Sequence, residues 1–310
     1  MTDAPSSTRT NRWQVVAALG AIYLIWGSTY LAIRIGVQSW TPFMLSSVRF
    51  AIAGVGLYAV LRARGVPAPS WKAWGASAIA GCLMLCMGNG TVCWAEQWVP
   101  SGETALILSA GPLWMVLLPW LARRAPAPRP VVIGGIVVGL AGVAVLIGGA
   151  GVHLGGAGPA GDRALLIGRL ALCGASLSWV VGSLLSRTMP LPSSTALATA
   201  MQMVAASPIL FLAAARGDFA HFRFASVTAG GWAALAYLNV FGSLAGFGSY
   251  VYLLKHEGPA RASTNAFVNP LIAVALGAAL GGEPVGPRTF AAAGLIVAAV
   301  AGVIWGTSKT

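Results

Sequence analysis

The stretch that decides the fold is "YLIWGSTYLAIRIG", residues 23–36, which lies in an apolar run that extends from Trp13 to Val37. A helix needs about 20 apolar residues to cross a membrane, and this run supplies them. A signal peptide has an apolar core of only about 7–15 residues, so the run predicts a retained membrane-spanning helix. Its polar residues, among them Ser28 and Arg34, either join helices together or line a path for a polar solute.

Composition places the whole chain in the membrane. Of its 310 residues, 57% are hydrophobic and 8% are charged, and the mean hydropathy is +0.78. A soluble domain has about 25% charged residues, so this chain could not cover a soluble surface. The net charge of +12 comes from basic residues scattered between apolar segments, which argues against a nucleic-acid partner. The four cysteines lie in apolar segments without nearby ligands, so we expect packing residues and no metal or other cofactor.

Ten segments are long and apolar enough to span a membrane. They are 13–37, 42–61, 72–95, 101–122, 130–150, 164–187, 195–215, 230–254, 259–281 and 286–306. A Gly-rich stretch, 151–163, divides them five and five and is typical of a flexible linker. We therefore expect an all-α membrane protein with a first five-helix repeat over 1–150, a linker over 151–163 and a second five-helix repeat over 164–310.

The two halves resemble each other in sequence. "LIWGSTYLAIR" (24–34) aligns with "LSWVVGSLLSR" (177–187), and Pro112 in the fourth segment corresponds to Pro270 in the ninth. Because five is an odd number, the second repeat must cross the membrane in the opposite direction. Inverted repeats place a binding site near the bilayer midplane and permit alternating access.

Basic residues predict the orientation. The N-terminus, every second loop and the C-terminus together carry twelve Lys and Arg residues. The opposite side carries six, namely Arg34, Arg163, Arg169, Arg216, Arg223 and Arg288. Since cytoplasmic loops are enriched in Lys and Arg, we expect both termini in the cytoplasm and a bacterial-type inner membrane location.

This plan resembles a known family. "WGSTY" in the first helix, "RFAIAG" (49–54) in the second and "NPLIAVALGAALGGEP" (269–284) near the end are similar to the EamA-type members of the drug/metabolite transporter superfamily. The resemblance covers nearly the whole chain. It implies a secondary exporter of amino acids or related small metabolites. The family's glutamate after the ninth helix is present as Glu283, whereas the corresponding first-half region reads "LARRAP" (121–126).

Arg49 is the central candidate for substrate binding. It lies several residues into the second helix, and an arginine at that depth needs a partner. It either stabilises the fold, by binding helix-end carbonyls or a carboxylate such as Glu103, or it attracts the carboxylate of an amino-acid substrate. Glu103 is also an alternative partner for Arg34.

Polar and aromatic residues at matching positions of the two halves extend this candidate site. They either line a cavity or pack helices together. On the first and sixth helices they are Trp26, Tyr30, Trp179 and Ser183; elsewhere they are Asn89, Trp94, Gln202, Asn239, Ser243 and Tyr250. Pro112 and Pro270 interrupt helical hydrogen bonding and are either hinges or packing features. A Gly135-xxx-Gly139 pattern predicts close packing between helices five and ten or a dimer surface.

The acidic residues limit the mechanism. No Asp or Glu falls near the middle of a helix, although proton-coupled pumps keep a protonatable group along the path. We therefore expect facilitated diffusion or exchange, with a proton-coupled drug or metabolite antiporter and a passive channel as alternatives. The chain has no HExxH or GxSxG motif and no His–carboxylate cluster, so an enzyme is disfavoured. The expected partners are the small-molecule substrate and lipid, with a monomer favoured over a dimer.

Overall fold

The computed structural model describes residues 12–147, 159–217, 222–257 and 265–307. Within these ranges the chain forms ten helical segments and a short 3-10 turn, Phe224–Ser226, and contains no β-strand. The helices are α1 (Arg12–Gly36), α2 (Pro42–Ala63), α3 (Trp71–Ala95), α4 (Ser101–Leu121), α5 (Pro130–Ile147), α6 (Pro159–Ser186), α7 (Thr195–Gly217), α8 (229–256), α9 (Asn265–Gly281) and α10 (Pro287–Thr307).

The predicted all-α membrane fold with ten helices is confirmed. The first seven helices, through α7, are long and apolar enough to cross a membrane. Shorter apolar stretches, Val268–Gly281 and Pro287–Val303, lie in α9 and α10. Residues 151–158 of the predicted linker lie outside the described residues. Its remaining residues, 159–163, belong to α6, which begins at Pro159 because the fixed φ of proline suits the first helical turn.

Local sequence explains where several helices begin and end. Ser70 precedes α3, and its hydroxyl accepts a hydrogen bond from the Ala73 amide at 3.2 Å, which satisfies one of the free amides of a helix N-terminus. Thr228 does the same for α8, accepting from the Gly231 amide at 3.1 Å. Gly65, just beyond α2, has a φ of +82°, a conformation that glycine adopts without steric cost.

The two halves use corresponding helix–helix contacts. Helix α1 of the first half packs on α8 and α9 of the second half, and the equivalent helix α6 of the second half packs on α3 and α4 of the first half. The remaining helices form two extensive pairs across the halves, α2 with α7 and α5 with α10. Each helix therefore has the same kind of neighbours as its counterpart five helices away, which is the packing expected of two inverted repeats.

The glycine pattern of α5 serves the packing between α5 and α10. A Cβ atom on Gly135 would lie 2.9 Å from Val303 Cγ2 and 3.1 Å from the Ala299 carbonyl oxygen. A Cβ atom on Gly139 would meet Ala299 and a Leu113 methyl group. Small residues here let the two backbones approach closely, as in other membrane helix pairs.

Two helices contain π-helical segments at equivalent positions. The segments are Cys82–Gly90 in α3 and Leu238–Ala245 in α8. Wider turns of this kind often occur at functional sites, because they leave carbonyl groups and side chains out of the regular α-helical arrangement. Their occurrence in the third helix of each repeat supports the internal duplication.

The prolines have unequal effects on their helices. Helix α4 is interrupted at Ser109 and Ala110, and its second part begins at Gly111 with Pro112 next. Helix α9 continues through Pro270. The broken helix predicted for Pro112 is present, whereas the equivalent proline is accommodated within a continuous helix; a hinge function for either remains a prediction.

Many residues are buried at one end of the bundle, where α1, α3 and α5 end and α2, α4 and α6 begin. We call it the sealed end. Residues 101–107 of α4 are all buried there, whereas in the second part of α4 only Leu113 is buried. Several of the largest fully buried side chains lie near this end, including Ile33, Trp40 and Leu106.

Candidate substrate site

Arg49 connects the two halves of the molecule at the depth where a substrate site is expected. Its side chain is 7% exposed, and its Nε donates a hydrogen bond to Ser243 Oγ of α8 at 3.2 Å. The guanidinium carbon lies 5.2 Å from the centre of the Phe50 ring. Among the described residues, Arg49 Nη1 is buried without a hydrogen-bond partner. A strong donor therefore remains available beside the contact between the repeats.

The π-helical segment of α8 shapes the other side of this contact. Ser243 Oγ donates to the Leu238 carbonyl, five residues earlier, at 3.1 Å, and can accept from Arg49 at the same time. Asn239 Nδ2 donates to the Leu235 carbonyl at 3.0 Å. Its Oδ1 is buried and has no partner among the described residues. The site thus combines an unused donor on α2 with an unused acceptor on α8.

Gly242 of α8 lies close to Thr29 of α1 and to the Arg49 guanidinium. A Cβ atom at this position would lie 3.2 Å from Thr29 Cγ2 and 3.3 Å from Arg49 Nη2. Both distances are closer than ordinary van der Waals contact, so a side chain would press against α1 and against the guanidinium. The glycine therefore allows α1, α2 and α8 to meet at Arg49.

An aromatic pair borders the site toward the opposite end of the bundle. The rings of Trp26 and Tyr250 lie with their centres 5.2 Å apart at an angle of 40°. Gly246 accommodates the indole, since a Cβ atom there would be 2.5 Å from Trp26 Nε1. Beside them, Ser28 Oγ and Tyr237 Oη are 2.6 Å apart. The structure therefore brings Trp26 and Tyr250 together across the repeats.

On α3, the predicted residues divide into two groups. Asn89 Oδ1 lies 3.9 Å from Cys93 Sγ, and Cys93 is within electrostatic range of Arg49. Trp94 instead packs against Trp98, with ring centres 4.9 Å apart, near the sealed end. Asn89 thus lies beside Cys93, whereas Trp94 is part of an aromatic pair at the end of the helix.

Three predicted residues do not join this group in the described part of the chain. Trp179 is 42% exposed and covers Gly88. Ser183 Oγ donates to the carbonyl of Trp179 at 2.8 Å. Gln202 is buried, and its carbonyl lies against Gly81. The two repeats are therefore not chemically equivalent, because the position that corresponds to Arg49 holds an uncharged helix-packing residue. Tyr30 is half-buried against the main core.

The predicted alternative partner of Arg49 and Arg34, Glu103, is already paired elsewhere. Its carboxylate forms a two-point ion pair with Arg169 of α6, with Arg169 Nε donating to Oε2 at 2.9 Å and Nη2 donating to Oε1 at 3.1 Å. Both side chains are at least nine-tenths buried. Pairing of Glu103 with Arg34 or Arg49 was therefore wrong, because the planar guanidinium of Arg169 already satisfies both carboxylate oxygens.

Two further charged residues at the sealed end bind the ends of helices. The Glu283 carboxylate accepts hydrogen bonds from the amides of Ser101 at 2.7 Å and Gly102 at 3.1 Å. These amides form the N-terminus of α4, where the helix dipole favours a negative charge. Arg288 donates to the carbonyls of Val145 and Leu146 at the C-terminal end of α5.

Arg34 also binds a helix end, since it donates to the Glu96 carbonyl beyond α3. Arg34, Arg169 and Arg288, interpreted from sequence as charges on one side of the membrane, are thus part of the fold. Sequence reasoning missed the burial of Glu96, Glu103 and Glu283. The only available signal was that each lies within a few residues of a helix end, where many charges are simply exposed.

Comparison with known proteins gives a consistent result. The model of the EamA-like transporter family matches residues 12–148 and again 166–305. The chain is 39% identical over 284 residues to the "Uncharacterized inner membrane transporter YedA" of Escherichia coli K12, which covers 91% of this chain and 88% of YedA. A weaker match, 29% over 105 residues, is to the "Probable terminal-alkyne amino-acid exporter" of Streptantibioticus cattleyicolor and covers 34% of this chain and 35% of that protein. A solved crystal structure with 23% identity aligns over 94% of this chain and 97% of that chain with a TM-score of 0.60, which supports the fold.

Proposed function

The chain belongs to the EamA-like transporter family, and from this membership we propose that it exports amino acids or closely related small metabolites. It is an integral membrane transporter, and its relative YedA is named as an inner membrane protein. Aromatic and neutral amino acids are the favoured substrates. Transport takes place by alternating access around a site between the two repeats.

The contact between Arg49 and Ser243 carries this proposal. It joins the second helix of one repeat to the third helix of the other, and a site between inverted repeats can face either side of the membrane. The arginine also retains a buried donor without a partner among the described residues. A buried cation with unused hydrogen-bonding capacity is costly in a membrane unless it has a ligand or another function.

The unused groups match the two charged ends of an amino acid. A substrate carboxylate would accept from Arg49 Nη1, and a substrate ammonium would donate to Asn239 Oδ1. Trp26 and Tyr250 supply an aromatic surface for the side chain, in keeping with small-ligand sites that combine apolar walls with few polar groups. The name of the Streptantibioticus cattleyicolor relative, an amino-acid exporter, supports the same substrate class.

Both termini are proposed to lie in the cytoplasm. Of the six basic residues counted against this orientation, Arg34, Arg169 and Arg288 bind helix ends or a buried carboxylate. A basic residue that is bound within the fold says little about which side of the membrane its loop occupies. Leaving these three residues out of the count increases the excess of Lys and Arg on the proposed cytoplasmic side, on which the orientation rests. The sealed end is then the periplasmic end. A monomer remains the proposed unit, with the two repeats corresponding to 1–150 and 164–310.

Facilitated diffusion or exchange remains the proposed mode of transport, and catalysis is not proposed. One observation favours a second candidate, a proton-coupled antiporter, since three carboxylates are buried at the sealed end. A passive channel would share the inverted-repeat plan, but it would not show saturation or stimulation by substrate on the opposite side.

Transport assays in proteoliposomes test the proposal. Vesicles containing the protein would be loaded with a panel of labelled amino acids, and efflux would be measured with and without a pH gradient. We expect saturable efflux of aromatic or neutral amino acids that continues without the gradient. Efflux no faster than from protein-free vesicles for every amino acid tested would contradict the proposed substrate class.

A further inference from the structure

Glu96 is a fully buried carboxylic acid that the proposed substrate site does not use. It follows Ala95, the last residue of α3, and its side chain is 0% exposed. Neither Oε1 nor Oε2 has a hydrogen-bond partner among the described residues. The other two buried acids of the described residues differ in this respect, since Glu103 binds Arg169 and Glu283 binds the N-terminus of α4.

Among the described residues, no group forms a hydrogen bond with the Glu96 carboxylate, although the positive charge of Arg34 lies nearby. Arg34 of α1 donates to the backbone carbonyl of Glu96, not to its side chain. Other titratable groups near this carboxylate are Tyr30 of α1, Cys93 of α3 and Glu283 of the α9–α10 connection. An ionised carboxylate in this position would thus be buried, unpaired and close to a second carboxylate, which is strongly unfavourable.

The neutral acid fits the site better than the carboxylate ion. Burial, together with the neighbouring Glu283 carboxylate, raises the pKa of Glu96 well above its ordinary value, while Arg34 acts in the opposite direction. A site for a metal cation is disfavoured, because such ions need several oxygen ligands and the nearby Arg34 is already positive. Binding of a proton removes the negative charge of the Glu96 carboxylate without any change in its surroundings.

Glu96 lies at the sealed end, beside Arg34 of α1 and near Glu283 after α9, so we expect opening of this end to bring water to its carboxylate. We propose that Glu96 is a proton-binding site and that a proton must bind its carboxylate for the sealed end to close. The proton is taken from the solution on that side during closing and returns to the same side on opening. The step deepens the proposed function, on which it rests, because it makes one half of the alternating-access cycle sensitive to pH without requiring net proton transport.

The sign of the pH effect follows from linkage. The closed form, with the raised pKa, is favoured while Glu96 is protonated and becomes less favoured as pH rises. Between the ordinary glutamate pKa of about 4.3 and the raised value, each pH unit lowers the ratio of closed to open molecules by about tenfold. Glu96→Gln keeps the shape of the protonated acid, so it should close at all pH values.

Two measurements on the full chain, in lipid nanodiscs and in proteoliposomes, test this site. Infrared spectroscopy at neutral pH should show the carbonyl stretch of a protonated carboxylic acid in wild type and in Glu257→Gln, the control variant. The band should be absent in Glu96→Gln. Amino-acid exchange with equal pH on both sides should fall with rising pH in wild type and stay level in Glu96→Gln.

An unchanged infrared band in Glu96→Gln, or exchange that keeps the same pH dependence, would overturn the proposal. Thermal unfolding gives a further readout, since a Glu96→Gln variant should be at least as stable as wild type at neutral pH, whereas loss of an ion pair would make it less stable. If wild type exchanges no amino acid, the proposed substrate class fails, and the infrared comparison and the unfolding measurement still decide the role of Glu96.

Discussion

Arg49 is the residue on which the proposed substrate site depends, because its guanidinium joins the repeats and keeps one donor unused. A hydrogen bond to a charged group contributes about 1.5–3 kcal/mol. We therefore expect Arg49→Ala to weaken amino-acid binding by roughly 10- to 100-fold, measured as the half-saturation concentration for efflux. Arg62→Ala, an exposed arginine of the same helix, is the matched control. Equal half-saturation concentrations in both variants would exclude Arg49 from substrate binding.

Glu283 is a single residue whose carboxylate we expect to stabilise the folded protein. Removing its carboxylate leaves the Ser101 and Gly102 amides without their acceptor, and each unsatisfied buried amide costs about 1–3 kcal/mol. We expect Glu283→Ala to lower the free energy of unfolding by about 2 kcal/mol or more, measured by thermal or denaturant unfolding in detergent. Asp162→Ala, at an exposed acid in the first turn of α6, should have a much smaller effect. Similar losses from the two variants would contradict this account of the α4 N-terminus.

How well the sequence predicted individual residues depended on their partners. Arg49 was identified because an arginine in an apolar segment is costly wherever it points. Arg169 and Glu103 each looked like a loop or helix-end charge, since nothing local shows that residues 66 positions apart form a buried pair. Trp179 and Gln202 were predicted by internal symmetry, and the sequence does not show that Trp179 covers Gly88 or that the Gln202 backbone packs against Gly81.

At the scale of helices, the close packing of α5 and α10 makes a sharp prediction. Gly135 faces the backbone of α10, whereas a Cβ atom on its neighbour Gly134 would have no contact within 4 Å. Overpacking of a tight contact costs about 1–3 kcal/mol. Gly135→Leu should therefore reduce the thermal stability of the purified protein, and Gly134→Leu should not. Equal destabilisation by both substitutions would show that α5 does not pack on α10 in this register.

The π-helical segment of α8 leads to a prediction for transport. A side chain at Gly242 would enter the space between Thr29 and Arg49, so Gly242→Val should reduce amino-acid efflux by roughly tenfold or more, an effect of about 1.4 kcal/mol. Gly248→Val places the same side chain in open space on the same helix and should retain activity. Thermal unfolding of both variants checks that the fold is kept. Normal efflux from Gly242→Val would remove Gly242 from the site.

The positions of the helices were easier to predict from the sequence than the irregularities within them. Segment ends deduced from hydropathy lie close to the observed helices because apolar length and the intervening polar, Gly and Pro residues set them together. The π-helical segments could not be predicted, because their sequences, such as "CLMLCMGNG" (82–90), are as apolar as a regular membrane helix. The break at Pro112 was predictable from proline geometry, but the continuous helix at Pro270 depends on its neighbours.

At the scale of the molecule, the two repeats are alike in fold and different in chemistry. Both provide a π-helical third helix and pack in corresponding pairs. Glu283, however, binds the α4 N-terminus at the sealed end, whereas the first-half counterpart "LARRAP" (121–126) contains no acid. The two ends of the transporter are therefore held by different contacts, and the proposed substrate site is built mainly around α1, α2 and α8.

Stimulation of transport by substrate on the opposite side tests the central claim, an alternating-access carrier for amino acids, most directly. Proteoliposomes loaded with a labelled aromatic amino acid would be diluted into buffer with and without the same unlabelled amino acid. The account predicts that external substrate accelerates efflux and that the effect saturates, because a loaded carrier returns faster than an empty one. Efflux that rises linearly with concentration and ignores external substrate would contradict the account and indicate a passive pore.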